Sequence, residues 1–135
     1  MALSLSTTDR IRAVESIIQM TLPAGETLKA GDMVKINTTT GKFEKANATT
    51  AAEGRAYGVA LGSVYADNPV TALRKGVVAG FDLGTTTFDQ AIYLDNGDGS
   101  IGTAAGSVSI VVGRVVPATS ELLGSAYAKL LFIDL

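Results

Sequence analysis

The sequence contains no cysteine, no histidine and no tryptophan. Without histidine and cysteine, the chain lacks the usual proton carrier near neutral pH, every thiolate nucleophile, and the imidazole and sulfur ligands that zinc, copper and iron prefer. Without cysteine, no disulfide can hold the fold together. We therefore expect a protein that is not an enzyme, that uses no cofactor, and that is stabilised by packing, backbone pairing and subunit contacts.

Basic residues are also few and scattered. The chain has 11 Lys and Arg against 13 Asp and Glu, and no basic cluster is longer than the pair Arg74 and Lys75. A nucleic-acid partner requires a basic face that neutralises phosphates, so we expect none. The first eight residues lack a positive region followed by an apolar one, and apolar runs such as 108–116 are shorter than the roughly 20 residues that span a bilayer. We therefore expect neither a signal peptide nor a membrane partner.

What the chain does have is a high apolar content. It has 135 residues, of which 47% are hydrophobic and 18% charged, and its mean hydropathy is +0.30. This length suits one domain with a continuous core. The apolar content exceeds that of an ordinary small soluble monomer, which indicates an oligomer or burial in a larger assembly.

The local pattern is that of a β protein. Turn-forming combinations separate short apolar runs at spacings of about eight to twelve residues, as in sandwiches and barrels. Fifteen Thr and twelve Val add β-branched residues that suit a pleated surface. We predict an all-β fold, a small β-barrel or β-sandwich, with an extended N-terminal arm at 1–13 and a single β domain at 14–135. A frayed terminus explains residues 1–13 as well as an arm does. The predicted strands are 16–22, 33–37, 42–46, 56–65, 70–73, 76–81, 90–94, 107–117 and 126–134.

The inward-facing positions of these strands supply the predicted core. The predicted core residues are Val34, Ile36, Val59, Leu61, Val77, Ile92, Leu94, Ile110, Val112, Val115 and Leu131.

A weak internal repeat appears when 31–37 is laid over 88–95. Each copy is an apolar strand that ends in Asn or Asp, followed by a glycine-bearing turn and then by a second apolar strand with a glycine, 57–60 and 112–115. Two related hairpin units would explain the pattern. Chance similarity between β strands explains it equally well, and the sequence leaves both interpretations open.

The segment 97–102 matches the G-x-G-x-x-G spacing of dinucleotide sites. Those sites need a helix directly after the glycines, whereas a Val-rich strand is predicted here, so we expect a glycine-rich hairpin turn. The same loop includes Asp95–Asp98, which offers oxygen ligands of the kind that calcium prefers. The spacing of these ligands along the chain is not that of an EF-hand. We expect these to be solvated turn residues, and a nonstandard cation site is the alternative interpretation.

The arrangement of several short motifs resembles a known group of viral proteins. An Ala-Gly-x-x-Leu-x-Ala-Gly-Asp-x-Val run at 24–34 comes first, and apolar and glycine-bearing strands follow it. These strands are 57–60, 76–80, 91–95, 113–116 and 131–135. Over residues 14–135 the chain resembles the capsid decoration, or cement, proteins of tailed bacteriophages.

The resemblance implies a compact β subunit, often a homotrimer, on the outer surface of a phage capsid. Its partners would be copies of itself and the major capsid protein, and it would be made in the host cytoplasm and located in the virion. Its function would be to stabilise the shell by binding the assembled lattice. The N-terminal arm would then order on the lattice. Its candidate interface residues are Leu3, Leu5, Thr7, Arg10 and Arg12.

The main alternative is a carbohydrate- or receptor-binding β module of a phage fibre or adhesin. Such a module needs an exposed aromatic platform. The chain has only 6% aromatic residues, and we expect Tyr57, Tyr65, Tyr93 and Tyr127 to be mostly half-buried in strands. A small hydrolase that uses two carboxylates ranks third, because no aspartate stands out from its neighbours as a catalytic group.

Overall fold

The computed structural model describes residues 11–117 and 129–135. Every regular element within these ranges is a β-strand, and nine strands are present there. The strands are β1 (Arg12–Pro23), β2 (Met33–Ile36), β3 (Phe43–Lys45), β4 (Ala56–Ala60), β5 (Pro69–Ala79), β6 (Ala91–Leu94), β7 (Ile101–Gly102), β8 (Val111–Pro117) and β9 (Lys129–Asp134). The all-β prediction is confirmed.

The strands form one curled antiparallel sheet in the order β3-β2-β4-β5-β9-β8-β6-β7. The long strand β5 organises this sheet, because β4 pairs with its first half and β9 with its second half. Strand β1 pairs with β5 along its opposite edge. An isolated bridge between Ala24 and Phe43 brings the end of β1 beside β3, so that this half of the sheet curls towards closure.

Several strand limits differ from the prediction. The segments 70–73 and 76–81 belong to the single strand β5, which continues through Gly76 at a φ of 149°. Strand β1 begins at Arg12, so two residues of the expected arm lie in the sheet. Strand β8 begins at Val111, four residues later than expected, and β7 was not predicted. Of the predicted strand 126–134, the first three residues lie outside the described residues.

The core confirms most of the apolar pattern. Seven of the predicted core residues are fully buried, namely Val34, Val59, Ile92, Leu94, Val112, Val115 and Leu131. Leu61, Val77 and Ile110 are only partly buried. The prediction that Ile36 belongs to the core is wrong. Ile36 is the last residue of β2, and its exposed side chain lines an open surface cleft.

The two halves of the sheet repeat each other, which supports the two-unit interpretation. The order β3-β2-β4-β5 corresponds to β7-β6-β8-β9. The register of β2 on β4 shifts directly after Val34, and that of β6 on β8 shifts directly after Ile92.

The turns after β2 and β6 each contain a glycine with positive φ, 70° at Gly41 and 72° at Gly99. Backbone hydrogen bonds also correspond between the halves. The bond from Asn37 to Lys42 corresponds to that from Asp95 to Ser100, and the bond from Gly31 to Ala60 corresponds to that from Asp89 to Val115.

One glycine in each half lies against the backbone of the next strand. A Cβ on Gly58 would be 2.3 Å from the Leu73 carbonyl oxygen, and a Cβ on Gly113 would be 2.0 Å from that of Phe132. Only glycine permits such an approach between strands. The two positions occupy equivalent places in β4 and β8, so the repeat extends to the packing of the backbone.

Candidate functional site

Strand β1 is the most exposed element of the sheet. Apart from β5, no described strand pairs with it, so among the described residues its outer edge has no strand partner along most of its length. Its apolar side chains are also exposed, at 55% for Ile17, 46% for Ile18 and 40% for Met20. An open edge with exposed apolar residues is a surface on which another chain can add.

Two adjacent isoleucines both reach the surface because residues 15–21 of β1 are exposed on either face of the strand. The register of this strand is also irregular. The pairing with β5 is irregular between Ser16 and Ile18 and again between Ile18 and Gln19. Such bulges interrupt the alternation of faces that a regular strand would impose. Sequence reasoning therefore did not find Ile17, although a run of Ile, Ile and Met between polar residues was a usable signal.

An apolar cluster on the sheet adjoins β1. Ala79 and Leu130 are buried there, and Val14, Val77 and Val116 pack against them partly exposed. Val14 belongs to β1 itself, so the apolar surface continues from β1 onto β5 and β9.

Of the candidate interface residues, the structure places one. Arg12 is exposed at the start of β1, opposite Ala79 of β5. The neighbouring Ile11 is buried in the main core and holds the start of β1 against the domain. Leu3, Leu5, Thr7 and Arg10 lie outside the described residues.

A surface cleft of about 520 Å³ lies beside β2, β4 and β5. Its charged lining comprises Lys35, Glu44, Glu53, Arg55 and Arg74. The ammonium nitrogen of Lys35 lies 2.7 Å from Glu44 Oε1 and 3.4 Å from Glu53 Oε2. These residues come from separate segments, and the sequence had not suggested that they meet.

The carboxylate of Glu44 is held in its charged form. The side-chain amide of Asn37 donates to Glu44 Oε2 at 3.0 Å. This hydrogen bond, together with the one from Lys35, lowers the pKa of Glu44. The hydrogen bond to Glu44 in turn raises the pKa of Lys35. The three side chains thus form a charge network that is stable at neutral pH.

The glycine-rich segment 97–102 is a hairpin turn, as expected. Its last two residues form strand β7, which pairs with β6. Asp95 accepts from the Gly97 amide at 3.4 Å, and Asp98 accepts from the Asn47 side chain at 2.8 Å. Within residues 11–117 and 129–135, no three acidic side chains converge as metal ligands.

One tyrosine differs from the expectation that the tyrosines are half-buried. Tyr57 and Tyr93 are partly buried, but Tyr65 is 75% exposed. It lies in the turn before β5, where Pro69 begins the strand, so neighbouring strands do not cover it. It borders a shallow pocket of about 390 Å³ that also includes Lys29 and Ser63. Tyr127 lies outside the described residues.

Comparison with known protein families and with curated proteins finds no match for this chain. The described residues contain no helix that is both long enough and apolar enough to cross a bilayer. The described residues offer three surfaces to a partner: an apolar edge strand, a charged cleft and one exposed tyrosine.

Proposed function

We propose that this chain is a structural virion protein that binds the outer surface of a bacteriophage head, contacts the major capsid protein and stabilises the shell. It acts as a homotrimer and catalyses no reaction. The observation that carries the proposal is the open edge of β1, with Ile17, Ile18 and Met20 exposed. The motif resemblance over residues 14–135 and the high apolar content support it.

The physical basis is selective binding to the assembled state. A protein that binds the lattice but not free capsid subunits stabilises the lattice by mass action. The backbone edge of β1 can accept a strand from a shell protein, and its apolar side chains add buried area to that contact. Burying one isoleucine contributes about 1.5–3 kcal/mol. Two isoleucines therefore change affinity by about a hundredfold or more.

Cosedimentation with empty heads, assembled from the major capsid protein of a tailed phage whose genome encodes this chain, tests the proposal. Wild-type protein should saturate the heads and raise their melting temperature. A variant with Ile17→Lys and Ile18→Lys should lose both effects. Val111→Lys, at an exposed residue of β8, is the matched control and should bind like wild type. Analytical ultracentrifugation should show a trimer, and a monomer that does not bind the heads contradicts the proposal.

A second candidate function, glycan binding as in a fibre or adhesin domain, is favoured by Tyr65. An exposed aromatic ring beside a shallow pocket is the type of surface on which sugars stack. A glycan array gives the decisive comparison. Specific signals that Tyr65→Ala abolishes would support glycan binding over shell binding.

A further inference from the structure

The charged cleft beside β2, β4 and β5 contains more positive charge than its own carboxylates neutralise. Glu44 and Glu53 are both ion-paired with Lys35. Arg55 and Arg74 also line the cleft, and neither has a carboxylate within ion-pairing distance among the described residues. The cleft thus has three positive and two negative side chains, an excess of one positive charge in a chain of net charge −2.

The guanidinium of Arg74 is held in position by aromatic contacts. Its central carbon lies 5.2 Å from the ring centroid of Tyr57. That ring lies 5.5 Å from the ring of Phe43, which is fully buried. Cation–π contact with a ring that is itself packed on the core restricts the Arg74 side chain before any ligand arrives.

We infer that this cleft binds the carboxylate of an acidic peptide segment, with Arg55 and Arg74 as the recognising residues. A guanidinium can donate two parallel hydrogen bonds to the two oxygens of a carboxylate, a forked geometry that the ammonium group of lysine cannot provide. A volume of about 520 Å³ lies within the usual range of about 300–1,000 Å³ for ligand sites. The inference does not depend on shell binding.

The lining favours a peptide over an acidic sugar. Ile36, exposed at the end of β2, supplies an apolar wall for a neighbouring side chain of the ligand. Thr38 and Thr39 supply hydroxyls along the rim. Among the described residues that line the cleft, the one aromatic ring is that of Tyr57. Arg74 and Phe43 both contact it, so it does not offer the free face on which a sugar ring stacks.

A titration of ¹⁵N-labelled full-length protein with the capped peptide acetyl-Leu-Glu-Glu-Leu-amide tests the inference. Saturable shifts should appear at the amides of 35–39, 52–57 and Arg74, and binding should weaken when salt shortens the Debye length. The matched peptide acetyl-Leu-Gln-Gln-Leu-amide should give no saturable shifts there.

Substitutions assign the contact to the two arginines. Arg55→Gln and Arg74→Gln should each weaken binding about tenfold, as expected for loss of a charge-assisted hydrogen bond. Arg114→Gln, at an exposed arginine that pairs with Asp89, is the control and should not change the affinity. If either Gln variant does not fold, Arg→Lys at the same position keeps the charge, loses the forked geometry and should still weaken binding.

Three results would overturn the inference. The first is the absence of shifts around the cleft, and the second is equal binding of the Glu and Gln peptides. The third is binding of glucuronic acid or sialic acid at the cleft when the Glu peptide does not bind. None of these results bears on cosedimentation with heads, so the two proposals fail separately.

Discussion

The ammonium nitrogen of Lys35 lies 2.7 Å from the Glu44 carboxylate, across the pair of strands β2 and β3. The two residues are direct neighbours in the register of these strands. The same carboxylate accepts a hydrogen bond from Asn37 in the turn that joins them. One glutamate thus links the hairpin to the cleft.

The first prediction concerns acid stability. Because Asn37 and Lys35 lower the pKa of Glu44 in the folded state, Glu44 stabilises the fold above its unfolded pKa of about 4.3. This contribution is lost as the pH falls through the folded pKa. Glu44→Gln should therefore be less stable than wild type at pH 7, and the difference should shrink as the pH falls below the unfolded pKa. Urea denaturation at pH 7, 5 and 3 measures this.

The control for that experiment is Glu15→Gln, at an exposed glutamate of β1 that is in no ion pair with the described residues. Its stability relative to wild type should change little across the same pH range. If Glu44→Gln lowers the free energy of unfolding by the same amount at every pH, the charge of Glu44 is not the cause of the loss.

The second prediction concerns the close approach of β8 and β9. Gly113→Ala places a methyl group 2.0 Å from the Phe132 carbonyl oxygen, so the strands must separate. We expect a loss of about 1–3 kcal/mol in the free energy of unfolding, as for an overpacked core. Gly62→Ala is the control, because a Cβ there meets no atom within 4 Å. Equal urea midpoints for the two variants would contradict the packing described for β8.

The third prediction concerns the core. Leu131 of β9 is fully buried in the main cluster. Leu131→Ala should lower the free energy of unfolding by about 2–5 kcal/mol, because it leaves a cavity. Val111→Ala, at an exposed residue of neighbouring β8, should change it by about 0.5 kcal/mol or less. Thermal unfolding followed by circular dichroism would distinguish them, and similar melting temperatures would be inconsistent with this core.

The fourth prediction concerns a buried amide between two loops. The Asn47 side chain donates to Asp98 Oδ1 at 2.8 Å and accepts from the Thr49 amide at 3.1 Å. Asn47→Asp removes the donor and places two carboxylates together, so it should cost about 1–3 kcal/mol at pH 7. The folded state raises the pKa of the new carboxyl, and stability should therefore recover as the pH falls.

Differential scanning calorimetry at pH 7 and pH 4 measures this recovery. Asn68→Asp, in an exposed turn, is the control and should show little change at either pH. If the loss of stability in Asn47→Asp increases as the pH falls, repulsion between the new carboxylate and Asp98 is not its cause.

Local pattern predicted the strands well where alternation was regular and turns were clear. Strand β6 and the fully buried Ile92 and Leu94 are predicted in this way. The pattern failed where the structure departs from regular alternation. The pattern predicts a strand boundary at Gly76, but β5 continues through it. It also predicts a core position for Ile36, but this residue ends its strand beside the cleft.

The exposed surfaces were the least predictable part. Tyr65 was expected to be half-buried, since its burial depends on whether a neighbouring strand covers it. The cleft was not predicted either, because it joins Lys35, Arg55 and Arg74 through strand pairing and not through sequence proximity.

By itself, the amino-acid sequence determined that the protein is built from β-strands and that it lacks histidine and cysteine chemistry. Composition and turn spacing act locally, so no knowledge of distant neighbours was needed. Only the tertiary structure decided which strands pair, and with them that β1 lies at an open edge and that Arg55 and Arg74 share a cleft. These outcomes depend on contacts between distant segments, which follow from the packing of the whole sheet.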